Sequence, residues 1–309
     1  MEDKRPQGAG IPPRFYDSKS TTTFDPNHDL VTSPVFHPAV LAGLRLTLAT
    51  YALFVALYQL IEEAVKEGDA QTRLPCPRSG PNEHKTLTDH PSFFSYFTHL
   101  SYIGLIAYMY AAGVQTLCYV LNRRQGYPLQ RWPRPLQHLH KFLYSTVTTY
   151  PLVVTVIFWA LLADSDTFAT TLSAWFNISE HAMNTGYALF EITLTNVGPN
   201  SWWHLPLCVI VLACYLGVAY ITQATQGFYT YSFLDPKKEH AKLAGYIVGI
   251  GVAECLAFIL ARALIWGRMR LSRRRSRAYG SPSTTMVPAA IEEDWEEIER
   301  PGSGVGQAV

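Results

Sequence analysis

Residues 93–121, "FFSYFTHLSYIGLIAYMYAAGVQTLCYVL", run for 29 positions without an Asp, Glu, Lys or Arg. A hydrocarbon core ~30 Å thick demands such a stretch of a helix, whereas a buried helix of a soluble domain is usually satisfied with about half that length. Residues 142–163, "FLYSTVTTYPLVVTVIFWALLA", repeat the pattern. Three further candidates are residues 40–61 with Arg45 near one end, residues 205–222, and residues 243–266 with Glu254 and Arg262. Averaged over all 309 residues, the mean hydropathy of +0.04 and net charge of +1 would pass for a soluble protein. The polar ends and loops hide the spans, and the fold class read from the distribution is an all-α, polytopic membrane protein.

Residues 176–194, "FNISEHAMNTGYALFEITL", form the sixth and shortest candidate. Counting them places the basic N-terminal segment, the basic loop 122–141 and the tail "RMRLSRRRSR" on one side, which the positive-inside tendency assigns to the cytosol. Omitting them sends the loop and the tail to opposite sides. The expectation is six helices, N-in and C-in: a disordered cytosolic tail over 1–37, a transmembrane domain over 38–267, and a basic-then-acidic disordered tail over 268–309. No apolar leader stands in "MEDKRPQGAGIPPRFYDSKS", so the first membrane helix is expected to direct insertion into the endomembrane system, the endoplasmic reticulum foremost, or the plasma membrane. The sequon "NIS" at Asn177 then falls in a lumenal loop, where a glycan could be attached.

Other signals bound the function. Arg273, Arg274 and Arg275 beside the last helix are placed to meet anionic cytosolic lipid. The five cysteines have no metal-ligand spacing, the pair His138 and His140 lacks further ligands, and no phosphate-binding loop or nucleophile elbow is present, so neither metal nor cofactor is expected. Basic residues do not interleave with aromatics as a nucleic-acid surface would. "GYIVG" at 245–249 is a close-packing motif that could serve a neighbouring helix or a second copy of the chain.

Polar groups at membrane depth are therefore the informative positions. His181, Asn184, Glu191 and Thr195 lie within an arc of about 80° at 100° per residue. By helical rise Thr98 and His99 sit level with Asn184, near the lumenal ends of their helices. Glu191 and Glu254 lie near mid-membrane, where Arg45, Arg262 or a histidine would have to neutralise an ionised carboxylate. Two readings stay open on spacing alone. In one, Thr98, Ser101, His181 and Asn184 are hydrogen-bond glue between helices. In the other, Thr98 and a histidine form a nucleophile pair inside the bundle.

"SFFSYFTHLSYIGLIAYMY", "EHAMNTGYALFEI" and "YITQATQGFYTYSFLDP" resemble the androgen-induced family of multi-pass membrane proteins, over most of residues 90–266. That resemblance implies an intramembrane threonine hydrolase of lipid esters, such as fatty acid esters of hydroxy fatty acids, with Thr98 as nucleophile. The family pattern His-x-x-His, whose second histidine is implicated in catalysis, becomes His181 and Asn184 in "HAMN". An amide cannot accept a proton near neutral pH, so the base would be His181 or His99, with Asn184 as a hydrogen-bond donor and Glu191 orienting its neighbours. "HAMN" also resembles rolling-stone-like membrane proteins, for which a non-catalytic, lipid-binding or structural role is implied. Either way the expected partner is a membrane lipid or acyl chain. Reporter tags placed in 122–141 and 223–242 are expected to report opposite sides of the membrane; tags on one side would break the six-span count.

Overall fold

In the computed structural model residues 24–72 and 93–279 are described, apart from the side chains at 67, 69–72 and 273–279. The expectations for residues 1–23, for Cys76, for the side chains of Arg273, Arg274 and Arg275, and for the acidic tail lie outside the described residues. Among the described residues all regular structure is helical: α1 Pro38–Thr72, α2 Phe97–Leu121, α3 Arg134–Ile157, α4 Thr171–Asn177, α5 Met183–Leu194, α6 His204–Gln226, α7 Pro236–Glu239 and α8 Lys242–Tyr279. The chain divides at Gly267 into two units, 1–267 and 268–309; the described part of the second is the helical Arg268–Tyr279.

Five segments are long and apolar enough to cross a membrane: Pro38–Lys66, Phe97–Leu121, Arg134–Leu162, His204–Gln226 and Lys242–Ser272. The sixth candidate is a composite. α4, a π-turn over Ile178–Ala182 and α5 follow one another without a break, seven, five and twelve residues that together reach about 36 Å. One part of it rests against α3, where the Thr155 hydroxyl donates to the His181 carbonyl. Its other end meets the N-terminal segment, where the Asn196 amide donates to the Thr32 carbonyl at 2.9 Å. It therefore runs along the bundle between these two contacts, although its polar residues make it less apolar than the five spans.

α1 packs along α2, and α5 packs against α3. Gly113 makes the first contact close, since a Cβ there would stand 2.8 Å from Leu46 Cδ2 and 3.3 Å from Arg45 Cβ. Half of the apolar window of α2 and of α3 is buried but only 17% of that of α6 and of α8, so the last two present most of their surface outward. A Cβ at Gly245 or Gly249 of "GYIVG" would meet nothing within 4 Å among the described residues, so neither glycine makes a close helix contact there, while Tyr246 packs against Phe233.

Arg45 is fully buried, and the fold is arranged around its guanidinium. Nε and Nη2 donate to the two oxygens of Glu191 at 2.8 and 2.7 Å, and Nη1 donates to Thr116 Oγ1 at 2.8 Å and to the Leu30 carbonyl at 2.9 Å. The Tyr108 hydroxyl donates to Glu191 as well, at 3.1 Å. Of the cations proposed for Glu191, Arg45 is the one that meets it, while Arg262 lies over the Trp202 ring. The Leu30 carbonyl reaches Arg45 because residues 24–37, which the sequence places in the tail, are built against the bundle with Leu30 and Val31 buried. The Asp25 carboxylate holds that segment by accepting from the Asp29 and Leu30 amides and from the Tyr127 hydroxyl.

Removing one partner of a buried pair strands the other charge, at a cost of about 3–5 kcal/mol, whereas replacing both can be neutral. Arg45→Met is accordingly expected to lower the unfolding temperature in detergent severely, and Arg45→Met with Glu191→Leu to recover most of the loss. Equal losses in the single and double variants would show that the pair is not what holds these helices together.

Candidate active site

Thr98 and His99 occupy the first turn of α2, just past the extended N-cap residue Tyr96, and both are buried. They line a cleft of about 360 Å³ with Gln59 and Glu63 of α1, Phe158 and Leu162 at the end of α3, Glu180 and His181 of the composite helix, and Thr230–Ser232 from the loop after α6. All of these come from the same end of the bundle, because neighbouring long helices run in alternating directions.

His99 is clamped. Its Nδ1 donates to the Phe93 carbonyl at 2.7 Å and its ring stacks on Phe93 at a 4.0 Å centroid distance. Nε2 stands 3.2 Å from Glu180 Oε2 and 3.1 Å from Gln59 Nε2. Both ring nitrogens are thus engaged, and neither is open to take a proton from a neighbouring hydroxyl. His181 is the opposite case. Its ring lies flat on Phe158, centroids 3.5 Å apart and planes 4° apart, and its buried Nδ1 makes no hydrogen bond among the described residues.

Local backbone explains this placement. Both His181 and Phe158 sit in π-turns, Ile178–Ala182 and Phe158–Leu162, where an i→i+5 bond widens the helix by one residue. Thr155 of α3 donates to the His181 carbonyl, and Thr185 Oγ1 donates to Thr155 Oγ1 at 2.8 Å, so the two wide turns are laced together by hydroxyls.

Thr98 belongs to a second space as well. An apolar pocket of about 200 Å³, lined by Phe97, Val153, Ile157, Leu212, Phe233 and Ile250 among others, shares Thr98, Phe158, Leu162 and Tyr231 with the polar cleft. Thr98 therefore stands at the junction of an oily chamber and a chamber holding His99, Glu180 and His181. Tyr231 reaches the Thr98 side chain; burial pushes its phenol up, partly offset by hydrogen bonds from Thr98 and Tyr215. Burial, then Tyr231 and Glu63, push Tyr96 up to about 12. Both phenols stay protonated at neutral pH and can donate. Thr230 Oγ1 is buried in the same wall without a close hydrogen bond among the described residues.

Of the residues singled out by sequence, Thr98, His99 and His181 meet in the cleft, and Asn184 and Glu191 do not line it. Asn184 is buried on the expected inward face, yet its amide oxygen and nitrogen make no hydrogen bond among the described residues. Glu191 belongs to Arg45. Ser101 does not join two helices here: its hydroxyl donates to the Thr98 carbonyl at 2.9 Å, one turn back in the same helix. Glu180, Thr230 and Tyr231 were not picked out; the first stands beside "HAM" and the others inside the aromatic run "GFYTYSF", but neither pattern announces a side chain's direction.

Asn177 lies at the end of α4 rather than in a loop. Its Nδ2 donates to the Thr167 carbonyl at 3.1 Å and to the Ser173 carbonyl at 3.0 Å, and the residue lines the cleft. The nitrogen a glycan would need is thus committed, and endoglycosidase treatment of the expressed protein is expected to leave its electrophoretic mobility unchanged. A shift that Asn177→Gln abolishes would show that this end of α4 opens.

Residues 81–264 match the family described as FAR-17a/AIG1-like protein. No curated protein and no solved structure matches the chain. The likeness to rolling-stone-like proteins has no such support.

Proposed function

The chain belongs to the FAR-17a/AIG1-like protein family, and from that premise we propose that it hydrolyses lipid esters inside the membrane, with Thr98 as nucleophile and His181 as base. The observation that carries this reading is the position of Thr98 at the meeting of the apolar pocket and the polar cleft. An acyl chain seated in the pocket brings its ester carbonyl to the threonine hydroxyl, and the polar part of the substrate occupies the cleft.

The Thr98 oxygen attacks the carbonyl carbon while the open nitrogen of His181 takes the hydroxyl proton. Tyr231, with Thr230 beside it, supplies hydroxyl donors for the oxygen that becomes negative. Collapse expels the alcohol, which recovers the proton from His181. Water activated by the same imidazole then attacks the acyl-threonine, releasing the fatty acid and restoring Thr98. His99, tied to Glu180 and the Phe93 carbonyl, positions the first turn of α2 and takes no proton in this scheme.

Labelling of the purified protein by a fluorophosphonate probe is expected for the parent and lost in Thr98→Ala. In His181→Ala labelling should fall by about 10²–10⁴-fold, the range of a general base. Leu212→Trp, which fills the apolar pocket, should keep labelling and short-chain ester hydrolysis while long-chain esters are lost. A folded parent that neither labels nor cleaves would leave lipid binding without chemistry as the role of the two spaces.

A further inference from the structure

A cavity of about 590 Å³ lies at the opposite end of the bundle from Thr98. It is lined by His138, Lys141 and Ser145 of α3, by the turn Val197–Ser201, by Trp203 and His204 at the start of α6, and by Asp25 and Asp29. Nothing in the ester chemistry uses it.

Its deepest polar atom is an orphan. Asn200 is 3% exposed and its Nδ2 donates to Thr148 Oγ1 at 2.9 Å, whereas its Oδ1 has no hydrogen bond among the described residues. The orientation of this amide is fixed by its neighbour. The single Thr148 hydroxyl hydrogen goes to the carbonyls of Tyr144 and Ser145, both at 3.0 Å, so Thr148 Oγ1 can only accept from Asn200. Swapping the amide would pair two acceptors. A carbonyl-type oxygen is thus left as a buried acceptor in the cavity wall, and only a ligand or water that donates can satisfy it.

The rest of the lining offers the opposite polarity. Lys141 brings an ammonium group, and His138 and His204 bring ring nitrogens. The Ser145 hydroxyl lies 2.6 Å from His204 Nδ1 and 3.3 Å from the Lys141 carbonyl, and so holds the His204 ring in place beside the cavity. His204 also opens α6, but the His204 and Leu205 amides already donate to the Ser201 and Trp202 carbonyls at 2.9 and 3.2 Å, so the donors for an anion are the side chains. Asp25 brings no comparable demand, because its oxygens already accept from two amides and the Tyr127 hydroxyl.

We propose that this cavity binds a phosphoryl group carrying an amine or hydroxyl donor, the phosphate lying among Lys141, His138 and His204 and the donor reaching Asn200 Oδ1. The favoured source is the headgroup of a phospholipid such as phosphatidylethanolamine. The cavity sits where α6 begins, next to the exposed rings of Trp202 and Trp203, and such aromatics collect at headgroup depth. A soluble phosphomonoester with the same donor is the other source of this chemistry. The proposal is independent of the hydrolase reading, and Thr98→Ala leaves it untouched.

The test is native mass spectrometry of the full chain in detergent, offered in turn phosphatidylethanolamine, a diacylglycerol without the headgroup, and soluble phosphoethanolamine. One phosphatidylethanolamine should be retained and the diacylglycerol not. Lys141→Gln should weaken retention about tenfold, as loss of one charge-assisted contact does, and Asn200→Leu should do the same. Lys141 is exposed, so its variant tests the site even where Asn200→Leu does not fold. Phosphoethanolamine bound as tightly as the lipid would assign the site to a soluble ligand. Equal retention of diacylglycerol, failure to retain either phosphoryl compound, or retention unchanged in Lys141→Gln would overturn the proposal.

Discussion

One guanidinium governs the packing. In an apolar medium Arg45 has to find an acceptor for its donors, and it takes them from α2, from α5 and from the N-terminal segment at once, four hydrogen bonds at 2.7–2.9 Å. Such a pair adds little net stability, because desolvating two ions offsets most of their attraction. Its effect is on specificity. A rotation of α5 by one residue would carry Glu191 about 100° away from Arg45 and leave both charges buried and unpaired, so the ion pair fixes the rotation of the composite helix. That helix also carries His181, and the geometry of the cleft is thereby set by a contact about ten residues away along the same axis.

The π-turns complete what the ion pair begins. A regular helix would carry its pattern evenly from His181 to Glu191, but the wide turn Ile178–Ala182 adds a residue and rotates everything before it relative to α5. Glu180 and His181 then face the start of α2 while Glu191 faces Arg45. A carbonyl loosened by the wide turn, that of His181, is satisfied by Thr155, and the matching turn at Phe158 provides the ring on which His181 lies. Two irregular turns side by side explain how one short helix serves both a structural ion pair and a polar cleft.

Much of this was legible in the sequence. Long apolar runs, three of them free of charge, locate the five apolar spans, and the distribution of basic residues argues for a sixth crossing that composition alone does not admit. The inward face was legible too: His181, Asn184, Glu191 and Thr195 are all buried. Their division of labour was not. A constant 100° per residue treats the four as one array, and no sequence rule marks the π-turn that separates His181 from the rest. Residues 24–37 were misplaced for a related reason, since a short segment broken by Pro26 and Pro34 shows no periodicity even when two of its residues, Leu30 and Val31, are buried and a carbonyl is claimed by Arg45. Glu180 is adjacent to His181, but adjacency on a helix does not reveal that it pairs with His99, some eighty positions away.

For the proposed ester chemistry, these constraints favour one histidine over the other. A base needs a ring nitrogen that is unoccupied in the resting state and a proton it can hold while the alcohol leaves. His99 meets neither condition easily, for its Nδ1 is spent on a backbone carbonyl and its Nε2 is shared by Glu180 and Gln59. His181 has the open nitrogen, a rigid seat on Phe158, and no carboxylate hydrogen-bonded to it. In the proposed chemistry Asn184, where the resemblance leads one to expect a second histidine, has no part at Thr98, because it does not line the cleft. Its amide leaves two buried polar atoms without a hydrogen bond among the described residues, in a bundle that gives every nitrogen of Arg45 a partner.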